Sequence, residues 1–294
     1  MPDPDIAAIR ALLTGRPRPS GAAERRQRLD HLGRALGAPE DARLDPVDLN
    51  GVPAEWSATP DADPARAVLY LHGGGYMAGS IVSHRYVAVE TGRAARARTL
   101  ALGYRRAPEH TYPAQLEDAL AAWQFLLDQG MAPGAIAVGG DSAGGNLTLA
   151  LLLALRARGE QLPCCGWLIS PWTDLTASGA TMQTKADVDP MISQPYLLGL
   201  AEAFAGGKDL ADPSISPQRA DLAGLPPLLI QVGSDETLLD DAVTLAGRAG
   251  AAGVAVTLEV WPEMIHAFPM FFPRVAASRR ATAAAGAFMR RCFR

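Results

Sequence analysis

The sequence predicts an α/β protein, a mostly parallel sheet covered by helices on both faces, and three observations predict it. Uninterrupted apolar runs such as "AVLYLH" (67–72) mark strands buried on both sides. Helical stretches separate these runs, the alternation of a parallel sheet with crossover helices. Glycine clusters follow several of the runs, at the strand ends where ligands gather in open sheets of this kind.

Two helical patterns open the chain. Ile6, Ile9 and Leu13 share one face and Leu29, Leu32 and Leu36 another, with "GRPRPSG" readable only as a loop between them. "RLDPVDL" and "VPAEWSA" then alternate like two strands. Further strands are read at 67–72, "TLALGY" (99–104), "AIAVGG" (135–140), "GWLIS" (166–170), "PLLIQVG" (227–233) and "VTLEVW" (256–261), about eight in all. Helices are read at "QLEDALAAWQFLLDQG", "NLTLALLLALRARG" and "LLDDAVTLAGRAGAAG", the first and third closing on glycine as helix C-caps do. Between Ser170 and Pro227 lie over fifty residues with one clear helix, "QPYLLGLAEAF". That is too long for an ordinary crossover, so the interval is expected to leave the sheet and cover something.

At 294 residues, 48% hydrophobic and 20% charged, the chain is expected to be soluble, with one large or two small domains. A formal net charge of -4, with its 27 Lys and Arg scattered, gives no basic surface for nucleic acid or anionic lipid. Three cysteines, two of them adjacent as Cys164 and Cys165, make neither a disulfide framework nor a metal-ligand spacing. They read as buried, inert thiols in a reducing compartment. Acids and prolines stand at the N-terminus in place of a secretory signal. The longest apolar run, Leu147 to Leu155, is far short of the ~20 residues that span a bilayer. A cytoplasmic protein without a membrane partner is expected.

Four marked segments follow strands: "HGGGYMAG", "GGDSAGG", "GSDE" and "MIHAF". Gly140, Ser142 and Gly144 match G-x-S-x-G between a predicted strand and a predicted helix. That context gives the match its weight, because the elbow strains the serine and the glycines are expected to leave room for the turn and for a substrate. A serine hydroxyl needs an imidazole to take its proton and a carboxylate to fix the imidazole tautomer. Of the five histidines only His266 lies in a loop just after the last strand, in the chain order serine, acid, histidine. His72 precedes the glycine run; His31, His84 and His110 read as hydrogen-bonded or surface residues. On this acyl-transfer reading the bare amides of Gly74, Gly75 and Ala143 stabilise an oxyanion, each typically worth about 3–4 kcal/mol in a transition state.

A rival of another class reads Gly73, Gly75 and Ala78 as the G-x-G-x-x-A fingerprint of a dinucleotide site. That site needs an acidic residue at the end of the next strand, which here ends in Tyr104, Arg105 and Arg106.

"YLHGGGYMAGS", "YRRAPEHTYPA", "GDSAGGNL", "SPW", "DPSISP", "LAGLPPLLIQVG" and "HAF", in that order from about residue 40 to the end, resemble the hormone-sensitive-lipase-like branch of the α/β-hydrolases. The resemblance implies an eight-stranded sheet and a helical cap, built from residues 1–40 and an insertion at about 185–212 on a catalytic domain spanning 41–294. It also implies serine carboxylesterase activity on small-molecule esters of short or medium chain, without cofactor or metal. By the same likeness Ser142 is the nucleophile, His266 the base, and Gly74, Gly75 and Ala143 the oxyanion hole, while Pro108 and Glu109 hold loops. A binding protein on this scaffold would have lost a member of the triad, and none is missing here. One departure concerns the acid, where the family reads D-P-L-x-D and this chain reads "SDETLLDD". Aligning Asp240 with the second family aspartate puts Glu236 on the catalytic position; Asp235, one residue early, stays open. Asp240 and Asp241 read as an acidic first helical turn. The acyl preference, the cleavage of amides or lactones, and assembly as a homodimer are left open.

Overall fold

The hairpin that begins the sheet joins β1 (Arg43–Leu49) to β2 (Val52–Ala58) through Asn50 and Gly51, both at positive φ, 56° and 93°, as a two-residue hairpin turn requires. A computed structural model of the chain describes residues 4–15, 19 and 21–294. The loop expected at "GRPRPSG" falls largely outside them. Six more strands follow: β3 (Asp63–Leu71), β4 (Ala97–Leu102), β5 (Ile136–Asp141), β6 (Cys165–Ile169), β7 (Leu228–Gly233) and β8 (Val256–Trp261). They form one eight-stranded sheet in the order β1-β2-β4-β3-β5-β6-β7-β8. β1, β2 and β4 pair antiparallel and every other neighbour is parallel.

Alternation along the strands sends side chains to two cores. Leu69, Leu71, Leu100, Leu102, Ile136 and Val138 face α4 (Ala114–Asp128) and α5 (Ala143–Ala157). Val68, Tyr70, Ala101, Ala137 and Trp167 face α3 (Ile81–Ala95) and α9 (Ala276–Cys292). α8 (Leu239–Ala251) packs beside α5 over β6 and β7. Neither α3 nor α9 is marked by a long apolar stripe: α9 buries mainly Ala277, Ala281 and Ala285 before Phe288 and Met289. His84 lies inside α3, fully buried and hydrogen-bonded, whereas His110 and His31 are exposed. Of the thiols only Cys165 is buried, whereas Cys164 and Cys292 are half-buried, and all three are free. Among the described residues no helix is long and apolar enough to cross a membrane.

α1 (Pro4–Thr14) and α2 (Ala22–Leu36) precede the sheet, and the interval after β6 carries a single helical turn, α6 (Thr181–Thr184), then α7 (Gln194–Ala205). All of these reach the strand ends that carry the marked segments. Ile6 and Ile9 of α1 pack with Met264, Ile265 and Phe268 of the loop after β8. Arg26 of α2 donates to the carbonyls of Met77 and Ala107, at 2.8 Å each, and to Glu109. Phe204 of α7 stacks on Tyr76 with ring centroids 3.7 Å apart.

The glycines flanking Ser142 serve the fold, which corrects the expectation that they make room for substrate. A Cβ on Gly140 would lie 2.2 Å, and one on Gly144 1.9 Å, from the carbonyl oxygen of Leu71 at the end of β3. The bare backbones let α5 start directly against the neighbouring strand. Gly144→Ala is therefore expected to force β3 and α5 apart and to lower stability by on the order of 1–3 kcal/mol. Urea denaturation of the variant against the parent measures it, and an unchanged midpoint would contradict the contact.

Candidate active site

Ser142 occupies the residue between β5 and α5 at φ 53°, ψ −117°, a sparsely populated conformation that costs of order 1–3 kcal/mol and persists only where surroundings fix it. Its amide donates to Ile169 O at 2.8 Å, and its carbonyl accepts from the amides of Asn146 and Trp172 at 3.1 Å. The elbow is thereby pinned to β6 and to the first turn of α5. A hydroxyl at the N-terminus of a 15-residue helix also stands where the helix dipole favours negative charge.

Glu236 lies in the loop after β7 and is completely buried. Its Oε1 accepts from Ser170 Oγ at 2.7 Å and from the amide of Gly233 at 2.5 Å, and its Oε2 lies 3.1 Å from Nδ1 of His266. Ser170 Oγ in turn accepts from the amide of Ala267 at 3.0 Å. One hydroxyl thus joins the acid to the residue after His266, although Ser170 carries no sequence signal beyond its place in "SPW". Gly233 makes the approach feasible, since a Cβ there would stand 2.1 Å from Met264 O and 2.9 Å from Glu236 Oε1.

Burial pushes the Glu236 carboxyl up, against the opposing pull of His266, Ser170 and the Gly233 amide. For His266 burial works against the imidazolium, but the hydrogen bond and charge of Glu236, then the charges of Asp189 and Asp141, outweigh it. The His266 pKa is raised above its ordinary value. Chemically the pair can accept a proton at Nε2 while Glu236 holds Nδ1 as the donor.

The two neighbouring carboxylates part company. Asp235 Oδ2 accepts from Arg10 Nη2 of α1 at 2.5 Å, and the same guanidinium donates to Val188 O at 2.7 Å and Glu263 O at 2.8 Å. Glu236 is the one brought to His266; Asp235 fastens α1 to the loop. Asp240 and Asp241 do stand in the first turn of α8, and they also bond outward, to the amide of Thr181 and to those of Thr173 and Asp174. Burial pushes the Asp241 carboxyl up to about 8. A polar cavity of about 360 Å³ opens there, lined by Asp174, Arg219, Asp240, Asp241 and Arg248 among others, and it contains none of Ser142, Glu236 and His266.

The loop after β3 supplies amides. Gly73 N donates to Asp141 Oδ1 at 3.0 Å, whereas the amides of Gly74, Gly75 and Ala143 are engaged by no hydrogen bond among the described residues. Gly74 and Gly75 sit at φ 113° and 62°. A Cβ on Gly75 would meet Leu200 Cδ1 of α7 at 2.4 Å, so α7 lies directly on this loop. Tyr76 ties the same loop to α5, its hydroxyl donating to Asn146 Oδ1 at 2.6 Å.

Behind the loop is a buried polar layer that the sequence did not announce. Asp141 accepts from Tyr70 OH at 2.9 Å and lies 3.3 Å from Nε2 of His84, whose Nδ1 is 2.8 Å from Ser83 Oγ. Burial works to raise the Asp141 pKa, but His84, Tyr70 and His266 outweigh it and hold it low. His72, stacked on Tyr104 at 4.1 Å, is held down to about 3 by burial and by the like charge of His84. Among the described residues no His, Cys, Asp and Glu side chains are grouped so as to hold a metal ion.

Residues 68–270 match the family model described as alpha/beta hydrolase fold. The chain is 43% identical over 292 residues to an acetyl-hydrolase of Streptomyces hygroscopicus, covering 99% of this chain and 97% of that protein. It is 34% identical over 244 residues to an esterase of Acinetobacter venetianus, covering 83% and 80%. The crystal structure of an esterase from the bacterial hormone-sensitive lipase family superposes with a TM-score of 0.97 at 41% identity over the whole of both chains. The esterase EstE5 soaked with p-nitrophenyl butyrate superposes at 0.95 and 40% identity, covering 99% of each.

The Arg10–Asp235 pair is about a quarter exposed on each side, so its removal should be mild in energy and local in effect. Asp235→Asn is expected to lower stability by less than ~1 kcal/mol and to speed hydrogen exchange in α1 while α5 and α8 keep their protection. Uniform loss of protection across the sheet would refute the assignment of Asp235 to the α1 contact.

Proposed function

The chain belongs to the hormone-sensitive-lipase-like branch of the α/β-hydrolase family, and from that premise we propose that it is a serine carboxylesterase hydrolysing short- to medium-chain carboxylic esters through an acyl-enzyme intermediate. The observation that carries the reading is the buried Glu236–His266 pair, with His266 Nδ1 3.1 Å from a Glu236 oxygen, at the same edge of the parallel strands β5 to β8 where Ser142 follows β5. Relatives called esterase and acetyl-hydrolase support the same class of reaction.

In this proposal Ser142 Oγ attacks the ester carbonyl carbon while Nε2 of His266 takes its proton, and Glu236 stabilises the imidazolium through Nδ1. The carbonyl oxygen becomes an anion facing the amides of Gly74, Gly75 and Ala143 at the N-terminus of α5. Collapse expels the alcohol with the proton from His266. Water then repeats the sequence against the acyl-serine and releases the acid. Residues 1–40 and about 185–212 act as the cap of the catalytic domain at 41–294: α1 packs on the His266 loop and α7 on Gly75, so both bound the space for the acyl group and shield it from water.

A p-nitrophenyl ester series from acetate to palmitate tests the reading, and turnover highest at the short end is expected. Ser142→Ala should lose activity on the order of a millionfold without unfolding. Glu236→Gln should lose about ten-thousandfold, because the wrong tautomer is then favoured, and Asp235→Asn only a few-fold. Collapse of the Asp235 variant with a nearly normal Glu236 variant would move the acid by one residue.

The base must be neutral to act, so activity is present above the His266 pKa and lost as pH falls through it. Since that pKa is raised above the ordinary 6.5, the acid limb of kcat/KM, which reports the free enzyme, is expected above that value. A limb below it would show that His266 is not the titrating base.

A further inference from the structure

Both chain neighbours of Glu236 are tethered to the inserted segment. Asp235 is tied through Arg10 to Val188 O. Thr237, fully buried, is tied directly: its amide and its hydroxyl donate to Asp189 Oδ2 at 2.9 and 3.1 Å, and its carbonyl accepts from Thr181 Oγ1 at 2.7 Å. Asp189 is itself only 5% exposed, and its other oxygen accepts from the amides of Met191 and Ile192, both at 2.9 Å. One oxygen closes its own turn; the other is committed to the loop that carries the acid.

We propose that Asp189 is a positioning residue for ester hydrolysis, holding Thr237 so that the Glu236 carboxylate keeps its register with His266 and adding a second negative charge on the imidazolium side. The proposal rests on the serine-esterase reading above. A glutamate side chain has enough torsional freedom that its carboxylate lands on Nδ1 only if its backbone is fixed, and errors near 1 Å can cost about a hundredfold in rate. Gly233 and Ser170 fix the carboxylate oxygen, and Asp189 and Thr181 fix the backbone one residue on. The inserted segment therefore takes part in orienting the base as well as covering the site.

The charges bearing on His266 are few. Glu236 comes from the loop after β7, Asp189 from the insertion, and Asp141 from the end of β5, where His84 and Tyr70 already engage it. From α1, Arg10 reaches Glu263 O in the His266 loop but is paired with Asp235. Removing the Asp189 charge should therefore lower the His266 pKa, an effect that loss of a merely structural contact would not produce.

The test compares wild type, Asp189→Asn and Thr237→Val by kcat and KM on p-nitrophenyl butyrate, by the pH profile of kcat/KM, and by NMR titration of the His266 ring protons. Asp189→Asn should lower kcat by roughly ten- to a hundredfold, leave KM within about twofold, and move both the acid limb and the NMR titration to lower pH by several tenths of a unit. Thr237→Val, which keeps the amide bond and the charge, should lower kcat a few-fold with the titration unmoved. An unshifted His266 titration in a folded Asp189→Asn variant overturns the proposal, as does a drop in kcat matched by a rise in KM. If Asp189→Asn does not fold, full kcat in Thr237→Val overturns it. Should wild type lack turnover while the titration still shifts, the esterase reading fails and the electrostatic role of Asp189 stands.

Discussion

A carboxylate with no access to water has to be satisfied by the protein around it, and Glu236 sets that requirement for this whole end of the sheet. The loop after β7 provides Gly233 N, the end of β6 provides Ser170 Oγ, and the loop after β8 provides His266. Because Ser170 also accepts from Ala267 N, three neighbouring strand ends share one hydrogen-bonded knot. The knot closes only because Gly233 has no side chain in the path of Met264 O. His266 is oriented by the same bonds that make burial of the acid tolerable, so packing and chemistry impose one geometry.

A second buried layer supports the neighbouring loop. Asp141 is the residue before Ser142, and its oxygens collect Tyr70, Gly73 N and His84. That fixes Gly73 and leaves the next two amides directed elsewhere. His72, neutral across ordinary pH, fills the space beneath without adding a charge. The glycine run is held from below by this polar layer and from above by Leu200 and Phe204 of α7, which explains how so flexible a sequence keeps one shape.

All eight strands were legible in the sequence, the inner parallel strands because burial on both faces makes them read as apolar runs, and the antiparallel β1 and β2 and the edge strand β8 because they alternate. α3 and α9 were not singled out, since the first is mixed with polar residues and the second, though amphipathic, buries a stripe of alanines in place of large apolar side chains. Ser142 and His266 stood out through local motifs and chain order. The family alignment put Glu236 on the acid position, but the role of Asp235 stayed open because it depends on Arg10, 225 residues from Asp235 in the chain. Ser170 and Asp189 likewise bond across 66 and 48 residues and leave no short-range pattern. What the sequence hides here is the second partner of each loop, which comes from a distant stretch of the chain.

Gly74, Gly75 and Ala143 present main-chain N–H groups, and every point substitution other than to proline changes the side chain while leaving such a group in place. On the proposed reaction, an alanine scan would register the proton-relay half of the site and stay silent about the amides proposed to face the oxygen. Where it did register a glycine, as at Gly74 against Ala78 O, it would report a steric clash and be misread as a loss of catalytic contact. Chemical synthesis with an amide-to-ester exchange at one of these positions would remove a single donor and nothing else. The mutational record of such a site is therefore biased toward histidine and carboxylate by the grammar of mutagenesis itself, whatever the true division of labour.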